Sequence, residues 1–171
     1  RPLRSTLFPY ATLFRSDWAE PQRGDIIVFV YPVKPELDFI KRVIGLPGDK
    51  IVVEGTSVAV NGRPIPALNP RPFSYIDENS GQTREPMRYD AQYGEHRFSL
   101  LYEPDRLHPR SEYSVPPGHL FVMGDNRDNS ADSREWGFVP MDNVKGRALM
   151  VLLSYSDREG LRTERIGHLL D

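Results

Sequence analysis

Cysteine is missing from this chain of 171 residues. Disulfide frameworks and thiolate metal sites are thereby excluded. A dominant charge is missing as well. Twenty-two Lys and Arg stand against 24 Asp and Glu, a formal net charge of −2, so there is no basic footprint for nucleic acid. No run of about 18 apolar residues occurs, so these residues contain no membrane span. The apolar h-region of a secretory signal is not visible either. The four histidines, His96, His108, His119 and His168, lie far apart without metal-ligand spacing. They read as ordinary surface or loop residues, and neither metal nor cofactor is expected. Helical periodicity with caps is also lacking.

Turn formers are plentiful instead: 16 Pro and 13 Gly, with 39% hydrophobic residues. That balance predicts a mainly β chain of coiled, folded antiparallel sheets or a barrel, with little helix. Strands are predicted at 26–31, 37–44, 50–54, 96–102, 120–123 and 147–155, where β-branched and aromatic residues concentrate. Asn61-Gly62 between 57–60 and 63–65 predicts a two-residue hairpin. Residues 66–95 are polar and Pro-rich and read as a long excursion with little regular structure. Residues 104–117 read as a loop, so 66–117 is a variable excursion as a whole. Residues 156–171 form a charged tail. Residues 1–16 repeat Thr-Leu-Phe between two Arg-Ser pairs. They read as a non-native leader, and the domain is taken as 17–171.

Two places carry chemistry. Along 37–44, side chains alternate between faces, so Leu37, Phe39, Lys41 and Val43 share one and Ile40, Arg42 and Ile44 the other. Lys41 is the single charge in an apolar row. Burial penalises an ammonium and lowers its pKa, and a neutral lysine can act as a general base near pH 7. Arg42 cannot, because guanidinium stays protonated. Taken alone, a strand lysine more often snorkels to solvent from a sheet edge.

The second place is 124–140, a dense set of Asp, Asn, Ser and Arg after an apolar strand. Asp128, Ser130 and Asp132 open like a calcium loop. Ser133 stands where Gly is wanted and Val139 where Glu is wanted, so that reading fails. A solvated turn is the plain alternative. Asp132 and Arg134 are spaced to form a charge-assisted pair that fixes the loop, holding Ser130 as a hydrogen-bond partner for Lys41.

The stretch Phe39-Ile40-Lys41-Arg42-Val43-Ile44-Gly45-Leu46-Pro47-Gly48-Asp49 resembles the lysine box of the bacterial type I signal peptidases. Residues 124–140 are similar to the family's C-terminal signature, and Arg23-Gly24-Asp25-Ile26-Ile27-Val28-Phe29 to the box before the lysine. The resemblance covers 21–155. It implies a membrane-bound serine endopeptidase with a Ser–Lys dyad. Such an enzyme removes signal peptides from secretory preproteins after small residues, on the outer face of the cytoplasmic membrane. By motif, Lys41 is then the general base, Ser130 orients its amine, and Asp132 and Arg134 hold the signature loop. Phe39 and Ile40 meet an extended substrate, which adds as a strand to a sheet edge.

The family's nucleophile lies in a Ser-Met-x-Pro-Thr-Leu type box upstream of the lysine, and that box is not found here. Ser5 and Ser16 lack its pattern. The expectation is a truncated fragment that does not cleave on its own. The alternative is a catalytically inactive peptide-binding β-module. A self-cleaving Ser–Lys repressor-type protease is disfavoured, because nothing resembles a DNA-binding helix pair.

Overall fold

A computed structural model describes residues 20–77, 80–106, 108–150, 155–156 and 160–161. The strands in the first part of the chain are β1 (Ile26–Val30), β2 (Asp38–Gly45), β3 (Lys50–Glu54), β4 (Ser57–Val60) and β5 (Arg63–Ile65). Then come β6 (Ala67–Pro72), β7 (Tyr75–Ile76), β8 (Thr83–Arg84), β9 (Met87–Tyr93) and β10 (His96–Tyr102). The last part adds β11 (Ser111–Ser114), β12 (His119–Met123), a one-turn helix α1 (Ser133–Trp136), β13 (Val139–Pro140) and β14 (Val144–Arg147). The chain is mainly β, as its composition predicts.

A central sheet has the order β13-β12-β2-β1-β14, with every neighbouring pair antiparallel. Alternation along its strands builds two cores. Leu120 and Val122 of β12, Val43 of β2, and Ile27 and Phe29 of β1 face one way, covered by Trp136 and Met141. Phe121, Met123 and Ile44 face the other way, onto Ile51, Val53, Val58, Val60 and Ile65. Those residues belong to a second sheet, β11-β3-β4-β5. Its β4–β5 hairpin turns at Asn61 and Gly62, whose φ values of 52° and 77° are those the Asn-Gly signal predicts.

Three expectations need correction. The excursion at 66–95 is not irregular: β6 and β9 join β10 in a third sheet, ordered β10-β9-β6. Pro70 and Pro72 are admitted because β6 is an edge strand with a register shift between Leu68 and Arg71. Residues 104–117 likewise include β11, a mostly polar edge strand paired along β3. The strand predicted over 147–155 is described only at 147–150 and at Tyr155, which lies in a separate short strand, and it pairs with β1 only at its start. Its ladder ends at Arg147, followed by one bond from Ala148 N–H to the Ile26 carbonyl. Beyond that point β1 has no residues left to pair, and Leu149 and Met150 are exposed. Residues 151–154 and the leader at 1–16 lie outside the described residues.

Candidate active site

β2 places Lys41 opposite Ile27 of β1, on the face it shares with Phe39 and Val43. The amine stands 5.5 Å from the centroid of the Phe39 ring. Its hydrogen-bond partner comes from the connection between β12 and β13: Lys41 Nζ donates to Ser130 Oγ at 2.9 Å. Burial pushes the Lys41 amine below its ordinary 10.5. The Asp132 carboxylate pulls the other way, Arg134 lowers it again and Asp125 opposes, but burial prevails.

The loop that carries Ser130 is pinned at both ends. Asp132, fully buried, caps α1 by accepting from Arg134 N–H, and accepts from Gly124 N–H at 3.0 Å. It also forms the predicted pair with Arg134, whose Nε and Nη2 both stand at 2.8 Å. The Arg134 guanidinium reaches on to the Arg127 carbonyl. Ser133, equally buried, accepts from Val122 N–H at 2.9 Å, which ties the helix back to β12. Charge-assisted bonds are the strong ones, and here they surround the residue whose hydroxyl touches the lysine.

Arg42 occupies the opposite face of β2. Its Nε and Nη2 grip Asp125 at 3.0 and 2.9 Å, Nη1 donates to the Gly24 carbonyl, and Phe98 lies 3.9 Å beneath the guanidinium. One strand thus holds the loop on both sides, by Lys41 at Ser130 and by Arg42 at Asp125. Of the two residues expected to meet substrate, Phe39 stacks on Tyr31 with centroids 4.2 Å apart, beside the amine. Ile40, half-buried, shares the Arg42 face by alternation and lies away from Lys41.

Sequence reasoning missed several partners of this loop. His108 is a loop residue, as expected, but its side chain is only 15% exposed and its Nε2 stands 2.6 Å from Asp128 Oδ1. Tyr75, Asp77, Asn126 and Asn129 form a further hydrogen-bonded group. These contacts join segments 20 to 54 residues apart and follow no local pattern. The single available signal was an excess of amides next to Ser130. A cavity of about 330 Å³ opens beside Ser130, Asp132 and Arg134, with His108 and Arg127 across it.

A lysine whose pKa is lowered by burial leaves a mark on stability. Between its lowered midpoint and 10.5 the unfolded chain binds more protons than the folded one, so stability rises with pH there. Lys41→Met is therefore expected to melt at higher urea than the parent at pH 7. The gain should shrink as the pH approaches 10.5, as paired urea titrations would show.

Antiparallel sheets presenting a half-buried lysine amine to a serine hydroxyl are the class that fold and geometry define. The chain belongs to the signal peptidase family, peptidase S26, whose sequence model matches residues 4–153. It is 36% identical over 151 residues to signal peptidase I of Pseudomonas aeruginosa, covering 81% of this chain and 51% of the relative. Signal peptidase I of Aquifex aeolicus is 37% identical over 168 residues, covering 80% and 64%. A crystal structure of a signal peptidase I from Enterococcus faecalis matches 75% of this chain and 97% of that one, at 29% identity and a TM-score of 0.45. The chain spans about half the length of the first of these curated relatives. Among the described residues no helix is long and apolar enough to cross a membrane.

Proposed function

We propose that these residues form the catalytic domain of a serine endopeptidase that removes signal peptides from exported preproteins. The enzyme cuts after small side chains, at the outer face of the bacterial cytoplasmic membrane. Lys41 is the general base. Ser130 accepts one N–H of the neutral amine, which turns the nitrogen lone pair toward the hydroxyl of a nucleophilic serine. That hydroxyl gives its proton to Lys41 as it attacks the scissile carbonyl, and the resulting ammonium returns the proton to the departing amine. Asp132 and Arg134 hold the loop that carries Ser130. The nucleophile is assigned to the family's serine box and not to Ser130. Phe39 and Ile40 flank the edge along which the substrate lies extended.

The observation that carries this reading is the Lys41 Nζ to Ser130 Oγ contact of 2.9 Å at an amine whose pKa burial depresses. Two measurements test it. NMR titration of the Lys41 side chain should give a midpoint below 10.5, and an ordinary value would remove the base. Joined behind the N-terminal part of the Pseudomonas aeruginosa relative, residues 20–171 should cleave an Ala-x-Ala peptide. Lys41→Ala should then cost about 10²–10⁴-fold in kcat/KM. If that chimera cleaved equally well without the amine, the mechanism would be wrong.

A further inference from the structure

One arrangement in the structure is not used by the proposed chemistry. The ends of the Ser130 loop are anchored to β12, but its middle is held from outside, by the excursion. On one side β10 runs a short ladder: Leu101 N–H donates to the Asp125 carbonyl, and Arg127 N–H to the Leu101 carbonyl. Arg127 Nη1 meets the Tyr102 hydroxyl at 2.8 Å, and Glu103 N–H meets Asp128 Oδ2 at 2.7 Å. On the other side stands the β7–β8 hairpin. Asn126 Nδ2 donates to the Tyr75 hydroxyl at 2.7 Å. Asn129 Nδ2 donates to Asp77 Oδ2 at 2.8 Å and to the same Tyr75 hydroxyl at 3.3 Å.

Asn129 is the residue before Ser130, and it is exposed. An exposed amide in a loop is ordinarily solvated and unconstrained. This one meets a carboxylate that is 5% exposed and is itself fixed by the N–H and hydroxyl of Ser80. Asn129 N–H closes a turn on the Asn126 carbonyl, so both amides leave one turn and converge on one phenol. Fixing both amides of that turn fixes the direction in which the chain enters Ser130.

We propose that Tyr75 and Asp77 are positioning residues: through Asn126 and Asn129 they set where the Ser130 hydroxyl stands against Lys41. This rests on the reading of Lys41 and Ser130 as the working pair. The excursion is then part of the site's frame and not a decoration of the sheet edge.

The test uses the 171-residue chain with Asn129→Ala and Tyr75→Phe, neither of which opens the core. Thr83→Ala, on the same hairpin, is the control. Amide hydrogen exchange over 126–130 should quicken about tenfold in both variants and stay at the parent rate in the control. The Lys41 midpoint, read by NMR, should move up toward 10.5 in both, because a loosened loop admits water to the amine. Unchanged exchange overturns the proposal. So does faster exchange with a fixed, depressed midpoint, which would make the hairpin a brace and nothing more. If the parent amine already titrates at 10.5, the general-base reading fails. The exchange rate at Ser130 then decides the positioning claim by itself.

Discussion

Asp132→Ala should lower the unfolding free energy by about 3–5 kcal/mol, the usual consequence of leaving one partner of a buried ion pair alone. Asp132 has no exposed surface and receives four donors: Gly124 N–H, Arg134 N–H, and the Nε and Nη2 of Arg134. Alanine removes both carboxylate oxygens at once and leaves a guanidinium that is only 15% exposed with the Arg127 carbonyl but without its counter-charge. It also uncaps α1 and frees the start of the loop. Asp132→Asn keeps the shape and one acceptor oxygen, so it should lose less. Urea titration of the three proteins gives the ranking. A loss below about 1 kcal/mol for the alanine variant would mean that Arg134 finds water or another acceptor on relaxation.

The second large effect is expected in rate and not in stability. A Cβ placed on Gly124 would sit 2.1 Å from Ser130 Oγ and 2.6 Å from Ser130 Cβ, with Lys41 Nζ at 3.6 Å. Backbone conformation is no obstacle, since Gly124 is not among the residues with positive φ. The conflict is one of space alone. Ser130 must give way, and it is the group in contact with the amine. A displacement near 1 Å at such a point costs about 10²-fold, whereas one added methyl in a packed region costs about 1–3 kcal/mol of stability. Gly124→Ala in the cleaving chimera should therefore fold, with kcat/KM about 10²-fold lower. Full activity would show that Ser130 can stand elsewhere without harm to the lysine.

Three strands of the central sheet, β1, β2 and β12, were legible in the sequence because they lie in its interior, whereas β13 and most of β14 were not predicted as strands. β1 is β-branched or aromatic throughout, β12 is apolar after His119, and β2 is so at Phe39, Ile40, Val43 and Ile44, a signal that does not depend on context. The anomaly at Lys41 was legible for the same reason: strict alternation leaves a charge nowhere else to point. The third sheet was not legible. β6 and β9 place prolines, arginines and Asp90 on exposed faces, so the segment looks like loop until its partners are known. β11 is short and polar because it is an edge. At 147–150 the pairing with β1 stops early, since the apolar run continues past the end of the neighbour it pairs with. In the site, spacing alone gave the Asp132–Arg134 pair, and it raised Ser130 as a partner for Lys41. Resemblance gave the role of each. Apart from the amides beside Ser130, the contacts of Tyr75, Asp77 and His108 had no sequence signature, because they depend on how separate segments meet in space.

The third sheet also bears on how far the domain can be trimmed. Its β9–β10 turn at Gly94-Glu95 is exposed at the tip, yet one residue to either side it is tethered to the main body. The Tyr93 hydroxyl donates to the Ile44 carbonyl, and the His96 ring lies against Gly24 so closely that no side chain would fit there. Foreign sequence should be accepted at that tip, whereas excising the whole arm would cut two moorings and expose a lattice of backbone around residue 126. A minimal version of this domain would keep the arm and shorten only its outermost bend.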